Sequence, residues 1–395
     1  DGNLYGTTYE GGTNGYGAIF RITASGALTP LYSFTGGNDG AHPYGGLVQA
    51  SDGNLYGTTE DGGTNGDGVV FRIATNGPLT PLYSFTGGHD GANPRGDLVQ
   101  ANDGNLYGTT ENGGANFDGT VFRIATNGAL TPLHSFTYGR DGGFPEAGLA
   151  QANDGNLYGT TSEGGTNGYG VVFRMTTNGA LAPLYSFTNG NAGAYPDAAL
   201  LQAVDGNLYG TTEDGGTNNY GAIFRITTNG LLTPLYSFTD GHDGAFPESA
   251  LVQAPDGNLY GTTYEGGTNG YGVVFGTTTN GILTPLYSFT AGRDGADPLA
   301  GLALADGILY GTAAGGGSSH DGTVFAFALA PPALNILSEG QQFVVSWPAW
   351  ANNYVLQSAT NLLSPSWTTI TNAAPGTTYT VTNSVPVQYF RLANP

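Results

Sequence analysis

Short apolar stretches alternate with turn-forming residues along most of this chain, and the alternation recurs at a fixed distance. The string DGNLYGTT begins at residues 1, 52, 103, 154, 205 and 256, so the spacing is 51 residues. A seventh, altered copy, DGILYGTA, begins at Asp306. A constant period of this size predicts an array of supersecondary units, either blades or solenoid coils.

One unit, residues 47–97, contains four short apolar segments separated by turns and loops. The segments are 47–50, 54–59, 69–74 and 79–85, and the two longer loops are 60–68 and 86–97. Four antiparallel strands in a unit of this length are typical of β-propeller blades. The third segment is apolar on both faces, as expected for a sheet packed between two others. The sequence therefore predicts an all-β fold, with a seven-bladed β-propeller over residues 1–330 and both long loops on one face.

The first and last copies of the unit are incomplete. The first lacks the segment for the innermost strand, and the seventh lacks the LTPLYSF segment. Unpaired strand edges favour association with another strand. We expect residues 333–338 to complete the seventh blade within the chain. Residues upstream of Asp1 and a neighbouring chain are the alternative donors, and the latter predicts self-association through the incomplete blades.

The period stops near Pro331, and residues 331–395 have a different pattern. Six short apolar segments alternate with polar stretches there. This alternation predicts a small β-sandwich of the fibronectin type III or immunoglobulin-like class. Its predicted core aromatics are Trp347, Tyr354, Trp367 and Tyr389.

The charge balance excludes several classes of partner. The formal net charge is −21, and all nine basic residues are arginines. Nucleic acids and anionic membranes are bound by basic stripes, which this sequence lacks. No apolar run is long enough to span a bilayer. A glycan or a surface protein remains as the expected partner.

The motif DGNLYGTT…GGTNGYGVVFRIT…LTPLYSFT…LVQA resembles the GloVer (Gloeo/Verruco) tandem repeat of exported proteins from Verrucomicrobia and cyanobacteria. The resemblance covers residues 1–327. The tail, NYVLQSATNLLSPSW…QYFRLANP, resembles C-terminal sandwich modules of secreted verrucomicrobial proteins. Together these resemblances imply an extracellular or cell-surface location, and they imply no catalytic activity.

A first set of candidate residues lies in the Asp-Gly loops. Carboxylates and carbonyls in glycine-rich loops can bind calcium, but Asp-Gly is also a common turn sequence. Both interpretations stand, and no other cofactor is expected. The weak calcium candidates are Asp39, Asp90, Asp141, Asp243 and Asp294.

A second set combines aromatic and polar side chains of the long loops. Flat rings suit the apolar faces of sugars, and polar groups suit their hydroxyls, although such rings can also pack loops together. The predicted ligand-binding residues are Tyr16, Asp67, Asp118, Tyr169, Tyr220, Tyr271, His89, Arg140, Phe144, Tyr195, His242 and Phe246.

A third set breaks the repeat at one loop position, occupied by Arg95, Glu146, Asp197 and Glu248 in successive units. A glycosidase needs two opposed carboxylates, and a polysaccharide lyase needs a base with an arginine. Sequence gives no geometry for either. We therefore expect a non-catalytic extracellular binding or adhesion protein. A structural subunit of an extracellular filament or surface polymer, and a polysaccharide-active lyase or hydrolase, are the alternatives.

Overall fold

The structure is a computed structural model that describes the whole chain except residues 76, 340–341, 348–350, 352–353, 362–365, 372, 383–387 and 394–395. The described part is built of strands and turns, so the all-β prediction is confirmed. Within that part, no helix is long and apolar enough to cross a membrane.

Residues 1–330 form seven consecutive antiparallel sheets, here named I to VII in chain order. Sheet I contains β1 (Leu4–Thr8), β2 (Ala18–Ile22) and β3 (Leu28–Ser33). Sheet II contains β4 (Val48–Gln49), β5 (Leu55–Thr59), β6 (Val69–Ile73) and β7 (Leu79–Ser84). Sheet III contains β8 (Val99–Gln100), β9 (Leu106–Thr110), β10 (Thr120–Ile124) and β11 (Leu130–Ser135). Sheet IV contains β12 (Ala150–Gln151), β13 (Leu157–Thr161), β14 (Val171–Met175) and β15 (Leu181–Ser186).

Sheets V to VII continue the series. Sheet V contains β16 (Leu201–Gln202), β17 (Leu208–Thr212), β18 (Ala222–Ile226) and β19 (Leu232–Ser237). Sheet VI contains β20 (Val252–Gln253), β21 (Leu259–Thr263), β22 (Val273–Thr277) and β23 (Leu283–Ser288). Sheet VII contains β24 (Ala303–Ala305), β25 (Ile308–Ala313) and β26 (Thr323–Ala328). Sheets II to VI therefore have the four predicted strands in sequence order, and sheets I and VII have three.

The glycine in the middle of each LYGTT strand is required by packing. A Cβ placed on Gly57 would lie 2.7 Å from the ring of Phe71 and 2.8 Å from Leu47 Cδ2. The aromatic ring on the third strand can therefore lie across the second strand only where that strand carries no side chain. The equivalent Gly108 makes the same approach to Phe122 and Leu98.

Consecutive sheets pack face to face through buried aromatic residues. Phe85, which follows the outer strand of sheet II, lies 5.2 Å from Phe122 on the third strand of sheet III. Equivalent phenylalanine pairs join every consecutive pair of sheets from I to VII, with ring centroids 5.1 to 5.4 Å apart. The apolar third strands predicted from sequence are thus buried on both faces in sheets II to VI.

The two terminal sheets are less well covered than the five between them. Every residue of β5 is buried, whereas the equivalent β1 is half-buried and its Thr8 is exposed. Likewise β6 is buried apart from Arg72, whereas β26 is half-buried with Ala326 and Ala328 exposed. The missing strands predicted for the first and seventh units are therefore missing in the structure too.

The C-terminal residues form a separate pair of three-stranded sheets. One has the order β27 (Asn335–Glu339), β28 (Gln342–Ser346) and β31 (Thr378–Thr382), and the other has β30 (Thr368–Thr369), β29 (Val355–Ala359) and β32 (Tyr389–Ala393). Val345, Trp347 and Leu356 are buried between them, and Tyr354 packs against this core. Trp367 is instead half-buried beneath the guanidinium of Arg391, 4.4 Å from its ring centre.

The expectation that residues 333–338 complete the seventh blade is wrong. Their strand, β27, pairs with β28, with Ile336 opposite Val345. The two strands are consecutive in sequence, so this local pairing has a smaller entropy cost than a return to sheet VII. Sheet VII consequently ends at β26 within the described residues.

Candidate functional site

The long loops lie together on one face, as predicted. Each loop that joins two sheets is hydrogen-bonded to the loop between the second and third strands of the sheet before it and of the sheet after it. The backbone N–H of Asn93 donates to Asp67 O at 3.0 Å, and that of Ala92 donates at 2.8 Å to Asn112 O, in a loop of the next unit. The first of these bonds recurs in the pairs His42–Tyr16, Phe144–Asp118, Tyr195–Tyr169, Phe246–Tyr220 and Asp297–Tyr271.

The loop residue in these pairs has a left-handed backbone at every copy. Its φ lies between 54° and 56° at His42, Asn93, Phe144, Tyr195, Phe246 and Asp297. This conformation costs a residue with a Cβ about 1–2 kcal/mol. Hydrogen bonds on both sides stabilise it, since Asn93 O also accepts from the backbone N–H of Glu111 at 3.0 Å. The backbone of this face is therefore fixed whatever side chain occupies the position.

The predicted aromatic ligand-binding residues form edge-to-face pairs on this face. Tyr169 and Tyr195 have ring centres 5.8 Å apart, as do Tyr220 and Phe246. Tyr16 and Tyr271 are exposed, at 42% and 41%. His89, Arg140 and His242 are also exposed, and His242 Nδ1 lies 3.2 Å from Thr268 Oγ1. The rings pack loops together and also leave accessible aromatic surface.

The carboxylates of the Asp-Gly loops are used by their own sheets. Asp90 Oδ2 accepts hydrogen bonds from the Tyr83 hydroxyl and the Thr86 backbone N–H, both at 2.9 Å, and Oδ1 accepts from Thr86 Oγ1. Asp39, Asp243 and Asp294 repeat this pattern, and Asp141 bonds to His134 in place of the tyrosine. Within the described residues, no group of three or more histidine, aspartate or glutamate side chains is placed to bind a metal ion. The geometry favours the turn interpretation of these aspartates.

A cluster of charged residues lies where the loops of neighbouring units meet. Arg95 Nη2 is 2.8 Å from Glu60 Oε1, its Nε is 3.0 Å from Glu111 Oε2, and its Nη1 is 2.9 Å from Glu146 Oε2. One guanidinium thus pairs with three carboxylates from two neighbouring units. Three further acids adjoin them, and together we name these residues the carboxylate cluster: Glu60, Arg95, Glu111, Glu146, Asp197, Glu213 and Glu248.

The half of the carboxylate cluster away from Arg95 has acidic groups with raised pKa values. Burial, and then the charges of Glu146 and Glu213, raise the pKa of Asp197 well above its usual range. Burial and the neighbouring charges of Glu213 and Glu146 raise the pKa of Glu248 to about 7. The carboxyl groups of Asp197 and Glu213 interact directly, which acts to raise the pKa of Asp197 and to lower that of Glu213.

Asp197 also has an oxygen without a partner. Its Oδ1 is buried and accepts no hydrogen bond. A buried carboxylate oxygen without a donor is unfavourable, because its hydration is lost and nothing replaces it. The carboxylate cluster is therefore short of positive charge and of hydrogen-bond donors at Asp197.

Aromatic side chains from the first unit lie beside the carboxylate cluster. The Arg95 guanidinium lies 5.7 Å from the ring centre of Tyr44, which is 52% exposed. Tyr9 stacks on His42 at 4.9 Å and meets Tyr44 edge-on at 6.1 Å. The partial burial of Tyr44, and then the charge of Glu248, raise the pKa of Tyr44. Side chains from the first, second and fifth units therefore share one region, with rings on one side and carboxylates on the other.

The repeat that carries these loops identifies the chain's relatives. The model of the Gloeobacter/Verrucomicrobia repeat matches residues 1–204 and 149–360, which together include most of the chain. The chain belongs to this family. No curated protein matches this member of the Gloeobacter/Verrucomicrobia repeat family in sequence.

Solved structures resemble this family member in fold. A putative 6-phosphogluconolactonase from Bacteroides uniformis has 15% identity and a TM-score of 0.51, covering 99% of this chain and 100% of its own. An ulvan lyase of a polysaccharide lyase family has 11% identity and a TM-score of 0.47, covering 88% of this chain and 87% of its own. At 15% identity the first likeness indicates a shared fold and no shared activity, and the second is too weak to indicate either.

Sequence reasoning found only part of the carboxylate cluster of this Gloeobacter/Verrucomicrobia repeat protein. It singled out the loop position of Arg95, Glu146, Asp197 and Glu248, but not as binding residues. It missed the position that follows the Thr-Thr of each second strand, which holds Glu60, Glu111 and Glu213. The signal for both positions is variation at a constant 51-residue spacing, where the flanking residues barely change. The contacts between the two positions follow only from the three-dimensional arrangement.

Proposed function

We propose that this chain is a non-catalytic extracellular binding protein whose carboxylate cluster binds glycans that carry amino groups. The observation that carries the proposal is Asp197, an acid beside Glu213 and Glu248 whose buried Oδ1 has no donor. An ammonium group placed there would donate hydrogen bonds to both acids. The ligand's charge would then be neutralised by groups already held in place.

The surroundings of the carboxylate cluster support a sugar as the carrier of the amine. Tyr44, Tyr9 and His42 offer ring faces beside the acids, and rings of this kind pack on the apolar faces of sugars and attract cations. A formal net charge of −21 would also draw polycations from a distance. An extracellular location and a glycan partner accord with both features.

The proposal includes a complete architecture. We propose that sheets I to VII are the seven blades of a closed propeller and that residues 331–395 are a fibronectin type III-like spacer or docking module. The phenylalanine contacts that recur between consecutive sheets support the first part. The order β27-β28-β31 facing β30-β29-β32 supports the second.

Calorimetric titration of the full chain with two matched sugars tests the function. A glucosamine tetramer is expected to bind, and an N-acetylglucosamine tetramer of equal length is expected to bind at least tenfold more weakly, since acetylation removes the charge. Asp197→Asn should abolish the difference, and Val204→Ala, at a residue 90% exposed, should keep it. Equal binding of both tetramers, or of neither, would contradict the proposal.

A second function is favoured by one observation, the pKa of Glu248 at about 7 beside the Asp197–Glu213 pair. A carboxyl group with this pKa can exchange protons at neutral pH, as a polysaccharide-cleaving enzyme requires. Incubation with polysaccharides, followed by assay of new reducing ends and unsaturated products, tests it. Cleavage that Glu248→Gln removes would replace the binding function with the enzymatic one.

A further inference from the structure

The six outer strands of this chain make one conserved set of contacts. In sheet II, β7 pairs with β6, with Tyr83 opposite Val70 and Pro81 opposite Phe71. The following Phe85 donates its backbone N–H to Gly68 O at 3.0 Å and places its ring against the next sheet. The outer strands β3, β7, β11, β15, β19 and β23 share the pattern Leu-X-Pro-Leu-Tyr/His-Ser-Phe.

Among the described residues, sheet VII has the three inner strands of this arrangement and lacks the outer strand. Residues 323–327 of β26 align with 69–73 of β6, and Val324 and Phe325 are half-buried where Val70 and Phe71 are fully buried. Gly322 aligns with Gly68, whose carbonyl accepts from the outer-strand phenylalanine in sheet II. In the part of the chain that the structure describes, β26 pairs only with β25.

In sheet I, as far as the structure describes the chain, Phe20 lacks the ring contact that an outer strand on sheet VII would provide. Phe20 aligns with Phe71, Phe122, Phe173, Phe224, Phe275 and Phe325, each of which receives a ring from the preceding outer strand. Among the ring contacts of the described residues, Phe20 has none of this kind. One segment with the sequence LTPLYSF would supply both the strand for β26 and the ring for Phe20, if sheet VII adjoins sheet I as in the proposed closed ring.

We propose that sheet VII binds a strand of the repeat's own outer-strand sequence, donated from outside residues 1–395 by a polypeptide that bears the same repeat. All six copies within the chain already pair in their own sheets, so none is free to serve as the donor. The register follows from sheet II. The donor's serine lies opposite Thr323, its tyrosine opposite Val324 and its proline opposite Phe325. Its phenylalanine packs on Phe20 and donates its N–H to Gly322 O.

The test uses the full chain and a capped synthetic peptide of residues 78–88. Calorimetry is expected to give one site per chain, and the melting temperature should rise with peptide concentration, since the peptide binds the folded state. A peptide with Phe85→Ala should bind about tenfold more weakly, because it loses an aromatic pair and its buried area. A scrambled peptide of equal composition should not bind. Absence of binding by the native peptide, or equal binding by the scrambled one, overturns the proposal.

Hydrogen exchange locates the peptide. Amides of residues 323–328 should gain protection, whereas those of β23, which already form an outer edge, should not. Protection elsewhere overturns the proposed register. Phe20→Ala should lower the affinity for the peptide without removing the protection of the β26 amides. Val204→Ala should change neither the affinity nor the protection. If the chain forms dimers that excess peptide does not dissociate, the donor is an exchanged strand of a second copy and the proposed source is wrong.

Discussion

The acids of the Asp-Gly loops and those of the carboxylate cluster lie on similar loops in opposite environments. Although burial acts to raise it, hydrogen bonds from Thr35 and Tyr32 hold the pKa of Asp39 below its ordinary value. At Asp197, burial acts with the charges of Glu146 and Glu213, and the pKa is raised. The presence of donors decides the difference. Acids that receive donors from their own sheet stabilise the fold, and acids without them are available to a ligand.

The largest expected change in stability follows from removing an aspartate of the Asp-Gly loops. Asp90→Ala removes three hydrogen bonds and leaves the Tyr83 hydroxyl without its acceptor, so it should lower the free energy of unfolding by roughly 2–4 kcal/mol. Urea denaturation measures the loss. The fourth unit offers the reverse change, since Ala192 occupies the aspartate position there. Ala192→Asp should stabilise the chain, and a loss of stability would contradict the role assigned to this position.

A cluster acid should respond in the opposite direction. Asp197→Asn keeps the shape of the protonated acid and removes the cost of charging it in a buried site, so it should stabilise the chain at pH 8 by about 1–3 kcal/mol. At pH 4 the same substitution should have little effect, because the native acid is then protonated. Denaturation midpoints at both pH values check this. Destabilisation at pH 8 would mean that the charged form is the stabilising one.

The pH dependence of stability sharpens the comparison further. The folded pKa of Glu248 is about 7 against an ordinary 4.5, so the folded state binds more protons and stability falls as pH rises from about 4.5 to about 7. Asp39 and Asp294 have lowered pKa values, so the stability they contribute is lost as pH falls below their ordinary value of 3.8. Thermal scans should therefore show a maximum in mild acid. Glu248→Gln should reduce the decline towards pH 7 by about 1 kcal/mol, after allowance for solvent screening.

The smallest expected effect is on binding. A guanidinylated glucosamine oligomer keeps both its charge and its N–H donors across this pH range, so any pH dependence of its affinity comes from the protein. Affinity should fall several-fold between pH 8 and pH 6, because Glu248 gains a proton through about pH 7. Titrations in one buffer at constant ionic strength measure it. An affinity that rises in acid would place the ligand away from the carboxylate cluster.

Most of the fold could be predicted from sequence because the repeat encodes it locally. Gly57, the Asp-Gly turns and the apolar third strand recur with the period, and each acts within its own unit or on the next one. The placement of residues 333–338 could not be predicted in this way. Their pattern suits any sheet edge, and the choice of β28 depends on a partner inside the C-terminal module. The carboxylate cluster was hidden for a similar reason, since Glu60 and Arg95 are 35 residues apart and meet only through the fold.

The left-handed loop residues have a consequence for how such proteins diversify. At that position histidine, asparagine, phenylalanine, tyrosine and aspartate share one backbone shape, which is fixed by main-chain hydrogen bonds. Substitutions there, and at the position of Arg95 two residues on, can therefore accumulate without redesign of the scaffold. Duplication of the unit, followed by divergence at a few positions, would let each copy contribute different side chains to this face. The chemistry of the face can therefore change one unit at a time while the backbone stays the same.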